Sequence, residues 1–247
     1  MKITIDAVSD LLKSMDDVLI LAHENPDGDA VGSACALCRA MLKLGKNAKV
    51  SIERVSNKLS YLLSDVPTGD FDYKYVVAVD TADNNILGVS GTSVTKNSKI
   101  DLCIDHHFSN VLYAEKTYLD EKAAGACEAI FDILKYMDIE IDRDIAECLY
   151  VGISTDTGCF RFGNTTSKTL RTAAELIDLG VNNADVNRLQ FETKSKEYAK
   201  LEQMAISSMN TYFSGKCAVL PITYDMFIKS GADDSDTSAL ASLPRQI

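Results

Sequence analysis

The sequence predicts an α/β protein with a mostly parallel β-sheet flanked by helices. Three observations predict it. Short apolar runs bounded by polar residues alternate with helical patterns of about 10–15 residues, as βαβ units require. Histidine or aspartate follows three of those runs, so one edge of the sheet collects one kind of chemistry. The alternation holds for the first four-fifths of the chain and then gives way to a long charged amphipathic pattern.

Val18–Ala22 (VLILA) reads as a buried strand and opens onto HENPDGD. Ala30–Leu44 places Ala34, Leu37, Met41 and Leu44 on one helical face, and Gly45 stops it. Ala48–Ile52 is a second strand. Tyr75–Val79 (YVVAV) runs into Asp80, and Ile100–Ile104 (IDLCI) runs into Asp105. Ala123–Tyr136, Asp142–Thr155 and Thr166–Leu179 are helical, the last ended by Gly180. Residues 1–188 therefore read as one α/β domain. Residues 189–212 read as a connector helix, followed by a strand at Cys217–Ile222 and a short helix at Asp236–Leu243. The stretch 213–247 is too short for a robust domain and is expected to be the truncated beginning of a second one.

The 247 residues correspond to about 1.6 domains. Thirty-six acidic against 25 basic residues give a net charge of −11. That balance argues against a protein that coats long nucleic acid, which needs a basic face. It leaves room for a short anionic substrate at a local cationic site. No run of 18 apolar residues occurs, so no membrane span is expected. The N-terminus holds four aspartates in place of an apolar signal core. The seven cysteines are odd in number and mostly set in apolar stretches, which reads as small buried hydrophobes in a reducing, cytoplasmic compartment. Cys35 and Cys38 form a CxxC without a second pair, too little for a zinc or redox site.

All three histidines, His23, His106 and His107, follow predicted strands. Ligands of parallel sheets sit at such carboxyl ends. The first loop adds Asp27 and Asp29, which point the same way if the stretch is extended. Asp80 gains its weight from lying at the same edge. Adjacent His106 and His107 point in different directions, so one can bind metal while the other faces substrate. Asp156 closes the set in GISTDTGCFRF, where Thr155 and Thr157 can hydrogen-bond carboxylates and Arg161 suits a phosphate. Each position has a plainer reading: helix capping for the aspartates, an exposed turn for the histidines, a surface charge for Arg161. Capping explains neither His23 nor a second carboxylate. Mixed His/Asp clusters suit Mn²⁺ or Mg²⁺. So many carboxylates call for two ions, about 3.5–4 Å apart, as in phosphoryl-transfer sites, with Asp80 bridging them.

HENPDGDAVGS, the Asp80 of VAVDTAD, IDHHFSN and GISTDTGCFRF resemble, in order and spacing, the four motifs of the DHH phosphoesterase superfamily. The match spans about residues 15–190. The chain is similar to the nanoRNase/pAp-phosphatase branch, whose members carry a C-terminal DHHA1 domain. The resemblance implies that His23 and Asp27 hold one metal, that Asp29, His106 and Asp156 hold the other, and that Asp80 bridges them. It implies that His107 contacts the scissile phosphate or helps the leaving group, that Asp105 orients a histidine, and that Arg161 contacts phosphate. The metal implied is manganese, with magnesium as the alternative. The branch's Gly-Gly-His segment, which grips the nucleotide, is absent from this sequence.

The activity implied is hydrolysis of short oligoribonucleotides to mononucleotides and of pAp to AMP, with a small-nucleotide partner, no long nucleic acid, no membrane, and a homodimer as the candidate assembly. A second reading keeps the fold but changes the substrate to linear or cyclic dinucleotides, polyphosphate or pyrophosphate. A third, a non-catalytic nucleotide-binding module, is disfavoured because every metal position is filled.

Overall fold

The computed structural model describes residues 1–69, 72–88, 93–94, 99–232 and 240–244. The chain forms two compact units, Met1–Phe191 and Glu192–Ile247. The larger unit is α/β. Its five strands, β1 (Val18–Leu21), β2 (Ala48–Ser51), β3 (Tyr75–Val79), β4 (Leu102–Asp105) and β5 (Lys116–Leu119), are all parallel, in the order β2-β1-β3-β4-β5. Its helices are α1 (Ile5–Ser14), α2 (Gly28–Lys43), α3 (Ala126–Tyr136), α4 (Arg143–Asp156), α5 (Ser167–Asp178) and α6 (Asn183–Asn187).

The central strands β1, β3 and β4 are buried on both faces, which is why they read as continuous apolar runs. Successive side chains alternate sides. Val18, Ile20, Val77, Val79, Leu102 and Ile104 enter the main core with α2, α3 and α4. Leu19, Leu21, Val76, Ala78 and Cys103 enter a second core on the opposite face. Helices α2 and α4 approach closely at Gly32, where an added Cβ would lie 2.4 Å from the Cys148 carbonyl oxygen.

In the larger unit α1, α6 and β5, at the edge of the sheet, escape the sequence pattern. Helix α2 begins at Gly28, two residues before its apolar spacing, because Asp27 caps it. Asp27 Oδ1 accepts the N–H groups of Asp29 and Ala30 at 3.0 Å each. Strand β4 runs from Leu102 to Asp105, so Asp105 ends the strand instead of following it.

In the smaller unit, α7 (Lys196–Ser208) is followed by an antiparallel hairpin of β6 (Asn210–Tyr212) and β7 (Cys217–Val219), then α8 (Tyr224–Ser230). Tyr198 and Leu201 share an apolar cluster with Leu240 and Leu243. Of the expected helix at 236–243, positions 236–239 lie outside the described residues, and 240–244 form a 3₁₀ turn. Five of the seven cysteines are buried, Cys35 and Cys38 among them, and all seven are free thiols. Among the described residues no helix is long and apolar enough to cross a membrane.

Candidate metal centre

The strand order reverses direction between β1 and β3, so the connections leaving them diverge and open a crevice at their carboxyl ends. The loop after β1 supplies His23 and Asp27. The residue after β3 is Asp80, and the end of β4 supplies Asp105, His106 and His107. Helix α4 reaches the crevice with its last residue, Asp156.

Three groups form there, each with one ligand atom per residue within 4.8 Å of the others: His23, Asp27 and Asp80; Asp29, His106 and Asp156; and, overlapping them, Asp80, Asp105, His106 and His107. Asp80 faces both of the first two. Its Oδ2 lies 3.8 Å from His23 Nε2 and its Oδ1 lies 3.5 Å from His106 Nε2. His106 Nε2 lies 3.8 Å from Asp29 Oδ2 and 3.7 Å from Asp156 Oδ2. Asp27 and Asp29 thus serve different groups. The extended-chain expectation that they point together fails, because Asp29 lies inside α2.

The electrostatics follow from burial. Asp29 and Asp80 are completely or almost completely buried. Desolvation, followed for Asp80 by the charge of Asp29, raises the Asp80 carboxyl well above its ordinary range. Burial raises Asp29 too, against the pull of His106. Burial and Asp29 push Asp156 to about 7. Burial opposes a charge on His106, but Asp80, Asp29 and Asp156 outweigh it and push its pKa to about 10. Burial lowers His23, against Asp27. Asp80 also sits at φ 50°, a left-handed conformation that aspartate tolerates better than most residues.

The sequence offers little sign of what holds these groups. Asp29 Oδ2 accepts the Ala126 N–H at 2.5 Å and Oδ1 accepts the Cys127 N–H at 2.9 Å. The amino end of α3 therefore braces the carboxylate. Gly152 makes room for it: a Cβ there would lie 2.7 Å from Asp29 Oδ1 and 2.2 Å from Cys127 Sγ. Asp105 Oδ1 accepts His107 Nδ1–H at 2.8 Å and the His106 N–H at 2.8 Å, while Oδ2 accepts from Asn110 Nδ2 at 2.6 Å. Burial of Asp105 is outweighed by these donors, His107 first, and its pKa falls. That same hydrogen bond raises the pKa of His107.

Thr155 and Thr157 do not serve the carboxylates. Their hydroxyls donate to carbonyls of α4, the usual outlet for a threonine inside a helix. Beyond Asp156, Gly158, Cys159 and Phe160 stand at φ 56°, 58° and 61°. The Thr157 hydroxyl accepts the Phe160 N–H at 3.0 Å within this left-handed turn. Arg161 is exposed, with Nε donating to the Gly158 carbonyl at 2.5 Å.

The donor set fits divalent cations. His106 Nε2 and Asp80 Oδ1 are buried without a hydrogen-bond partner, which is costly for polar atoms. Their 3.5 Å separation is wide for a hydrogen bond. It matches two ligands of one ion, which at about 2.1 Å from a metal stand roughly 3.0–3.7 Å apart. Two carboxylate-rich groups joined through Asp80 fit two such ions.

The chain is similar to several known proteins. A bifunctional oligoribonuclease and PAP phosphatase from Thermus thermophilus is 32% identical over 235 residues, 92% of this chain and 70% of that protein. Its namesake from Bacillus subtilis is 29% identical, over 91% of this chain and 72% of its own. The crystal structure of an exopolyphosphatase-related protein from Bacteroides fragilis shares the fold, with a TM-score of 0.85 at 22% identity, covering 98% of this chain and 76% of that one. Residues 17–153, more than half of the chain, match the N-terminal domain of the DHH family. The chain belongs to the DHH family.

Proposed function

We propose that the protein is a metal-dependent phosphoesterase that hydrolyses short oligoribonucleotides to mononucleotides and converts pAp to AMP. The activities for which the Thermus and Bacillus relatives are named support the substrate class. The observation that carries the chemistry is His106 Nε2 facing Asp80 Oδ1, both buried without a hydrogen-bond partner, among three further carboxylates. His23 and Asp27 would hold one divalent cation, and Asp29, His106 and Asp156 the other, with Asp80 shared. Manganese is the first choice and magnesium the alternative, given imidazole together with carboxylates. When bound, such a pair activates water at neutral pH and offsets charge on the phosphoryl oxygens.

The remaining work falls to the chain. His107, its Nδ1–H fixed on Asp105, has a side chain 44% exposed and would meet substrate at Nε2. There it supplies a proton to the departing ribose oxygen. Arg161 meets a phosphate from its exposed turn. The net charge of −11 disfavours long polyanions and leaves the centre to short ones.

The test is a side-by-side assay of the Mn²⁺-loaded protein with pApA, pAp, cyclic di-AMP and polyphosphate. Mononucleotides from pApA and AMP from pAp are expected. Turnover confined to cyclic dinucleotide or polyphosphate would overturn the substrate assignment.

A further inference from the structure

Asn110 sits three residues beyond His107, yet its side chain reaches back to the floor of the centre. Its Nδ2 donates to Asp105 Oδ2 at 2.6 Å and lies 3.3 Å from the Thr81 carbonyl oxygen, the residue after Asp80. Its Oδ1 accepts the Leu112 N–H at 2.7 Å, and its own N–H donates to the His107 carbonyl at 3.0 Å. The Val111 N–H donates to the Ala82 carbonyl at 3.0 Å. One amide side chain therefore ties the loop after β4 to the loop after β3.

The two oxygens of Asp105 are served unequally. Oδ1 receives His106 N–H, His107 N–H and His107 Nδ1–H, at 2.8, 3.3 and 2.8 Å. Oδ2 receives the Asn110 amide. Asp105 is completely buried. A buried carboxylate oxygen without a donor is expensive, so loss of the amide favours rotation of the carboxylate. Rotation loosens the grip on His107 Nδ1, which fixes the ring's orientation.

We infer that Asn110 is a positioning residue for His107: it locks the Asp105 carboxylate so that Oδ1 holds His107 Nδ1–H and the ring's Nε2 is left to the leaving group. Asn110 itself touches neither substrate nor metal. The inference rests on the proposed phosphoester hydrolysis for its kinetic consequence, but its structural content is independent of the substrate.

The experiment compares wild type with Asn110→Ala and Asn110→Asp. The first removes the donor. The second keeps the shape but sets two carboxyl groups against each other. Two substrates carry the same nucleotidyl phosphate, one with a ribose leaving group and one with p-nitrophenolate, which departs without a proton. The variants are expected to bind as much Mn²⁺ as wild type and to lose roughly 10- to 100-fold in kcat on the ribose ester. They should stay within about threefold on the nitrophenyl ester, since it has no need of the acid. A second readout needs no turnover. In the Mg²⁺-loaded protein, the imidazole Nδ1–H proton resonance of His107 should be present in wild type and lost or shifted in both variants. Equal loss on both esters, or loss of bound Mn²⁺, would make Asn110 a loop-folding residue and overturn the inference. A wild type inert on both esters would count against the proposed function, and the resonance would still decide the role of Asn110.

Discussion

His106 Nε2 and Asp80 Oδ1 face each other across 3.5 Å, both buried and neither hydrogen-bonded. Without a cation this pairing is a liability: desolvation and the neighbouring Asp29 both disfavour charge on Asp80. Asp80→Asn keeps the shape and tolerates the left-handed backbone. It should abolish turnover and reduce bound Mn²⁺ at both positions. In metal-stripped protein it should raise the melting temperature, because a buried carboxyl crowded by Asp29 gives way to a neutral amide. Metal analysis and melting curves with and without chelator check all three outcomes; a variant that still binds two ions would refute the shared role of Asp80.

His107→Ala should retain bound metal and lose about 10²- to 10⁴-fold in kcat, the usual worth of a positioned proton donor. Its Nδ1 is already engaged by Asp105, so the ring is held away from ligation at that nitrogen. Metal content measured beside kcat checks this. An emptied metal position in His107→Ala would exchange the roles of the two histidines.

Gly152→Ala tests the room left for Asp29. The added methyl would lie 2.2 Å from Cys127 Sγ and 2.7 Å from Asp29 Oδ1, so the packing must shift. A destabilisation of about 1–3 kcal/mol is expected from overpacking. The displaced carboxylate should also weaken the group formed with His106 and Asp156. Urea denaturation and Mn²⁺ titration read the two effects separately, and an unchanged titration would show that Asp29 has slack.

Asp142 caps the helix that carries Asp156 at its other end. It accepts the Ile145 N–H at 3.0 Å and pairs with Lys43 at 2.8 Å. Burial works against its charge, but the Ile145 N–H and Lys43 outweigh burial and lower its pKa. A depressed carboxyl stabilises the fold above its unfolded value of about 3.9 and loses that contribution as pH falls through the folded value. Asp142→Ala should therefore cost about 1 kcal/mol at neutral pH. The stability curves of wild type and variant should converge in acid. Melting across pH checks this, and a gap that widened in acid would contradict it.

Much of the centre is legible in the sequence because its ligands are polar residues placed where apolar runs end. VLILA, YVVAV and the run before Asp105 are buried on both faces, so burial itself makes them visible as strands. Strand β5 is not visible, because KTYL at the sheet edge buries only Thr117 fully and leaves no apolar run. Helix α1 is amphipathic, but its aspartates draw the eye to the absence of a signal core instead of to its period. The bracing residues are hidden for another reason. Gly152, Asn110 and the amino end of α3 act through contacts made across the fold or around a loop, and no local pattern records which carboxylate they meet. Asp27 and Asp29 show the limit from the other side: an aspartate pair two apart suggests one direction until a helix begins between them.

The reversal of strand order between β1 and β3 also governs when the centre can come into being. Its groups are drawn from positions 23 to 156, on three loops, the first turn of α2 and the far tip of α4. During translation, a chain that has emerged only as far as β5 already displays most of the carboxylates but lacks Asp156, and α3 is not yet there to brace Asp29. The group of Asp29, His106 and Asp156 is complete only once α3 and α4 have docked, so a complete centre marks the chain through α4 as folded.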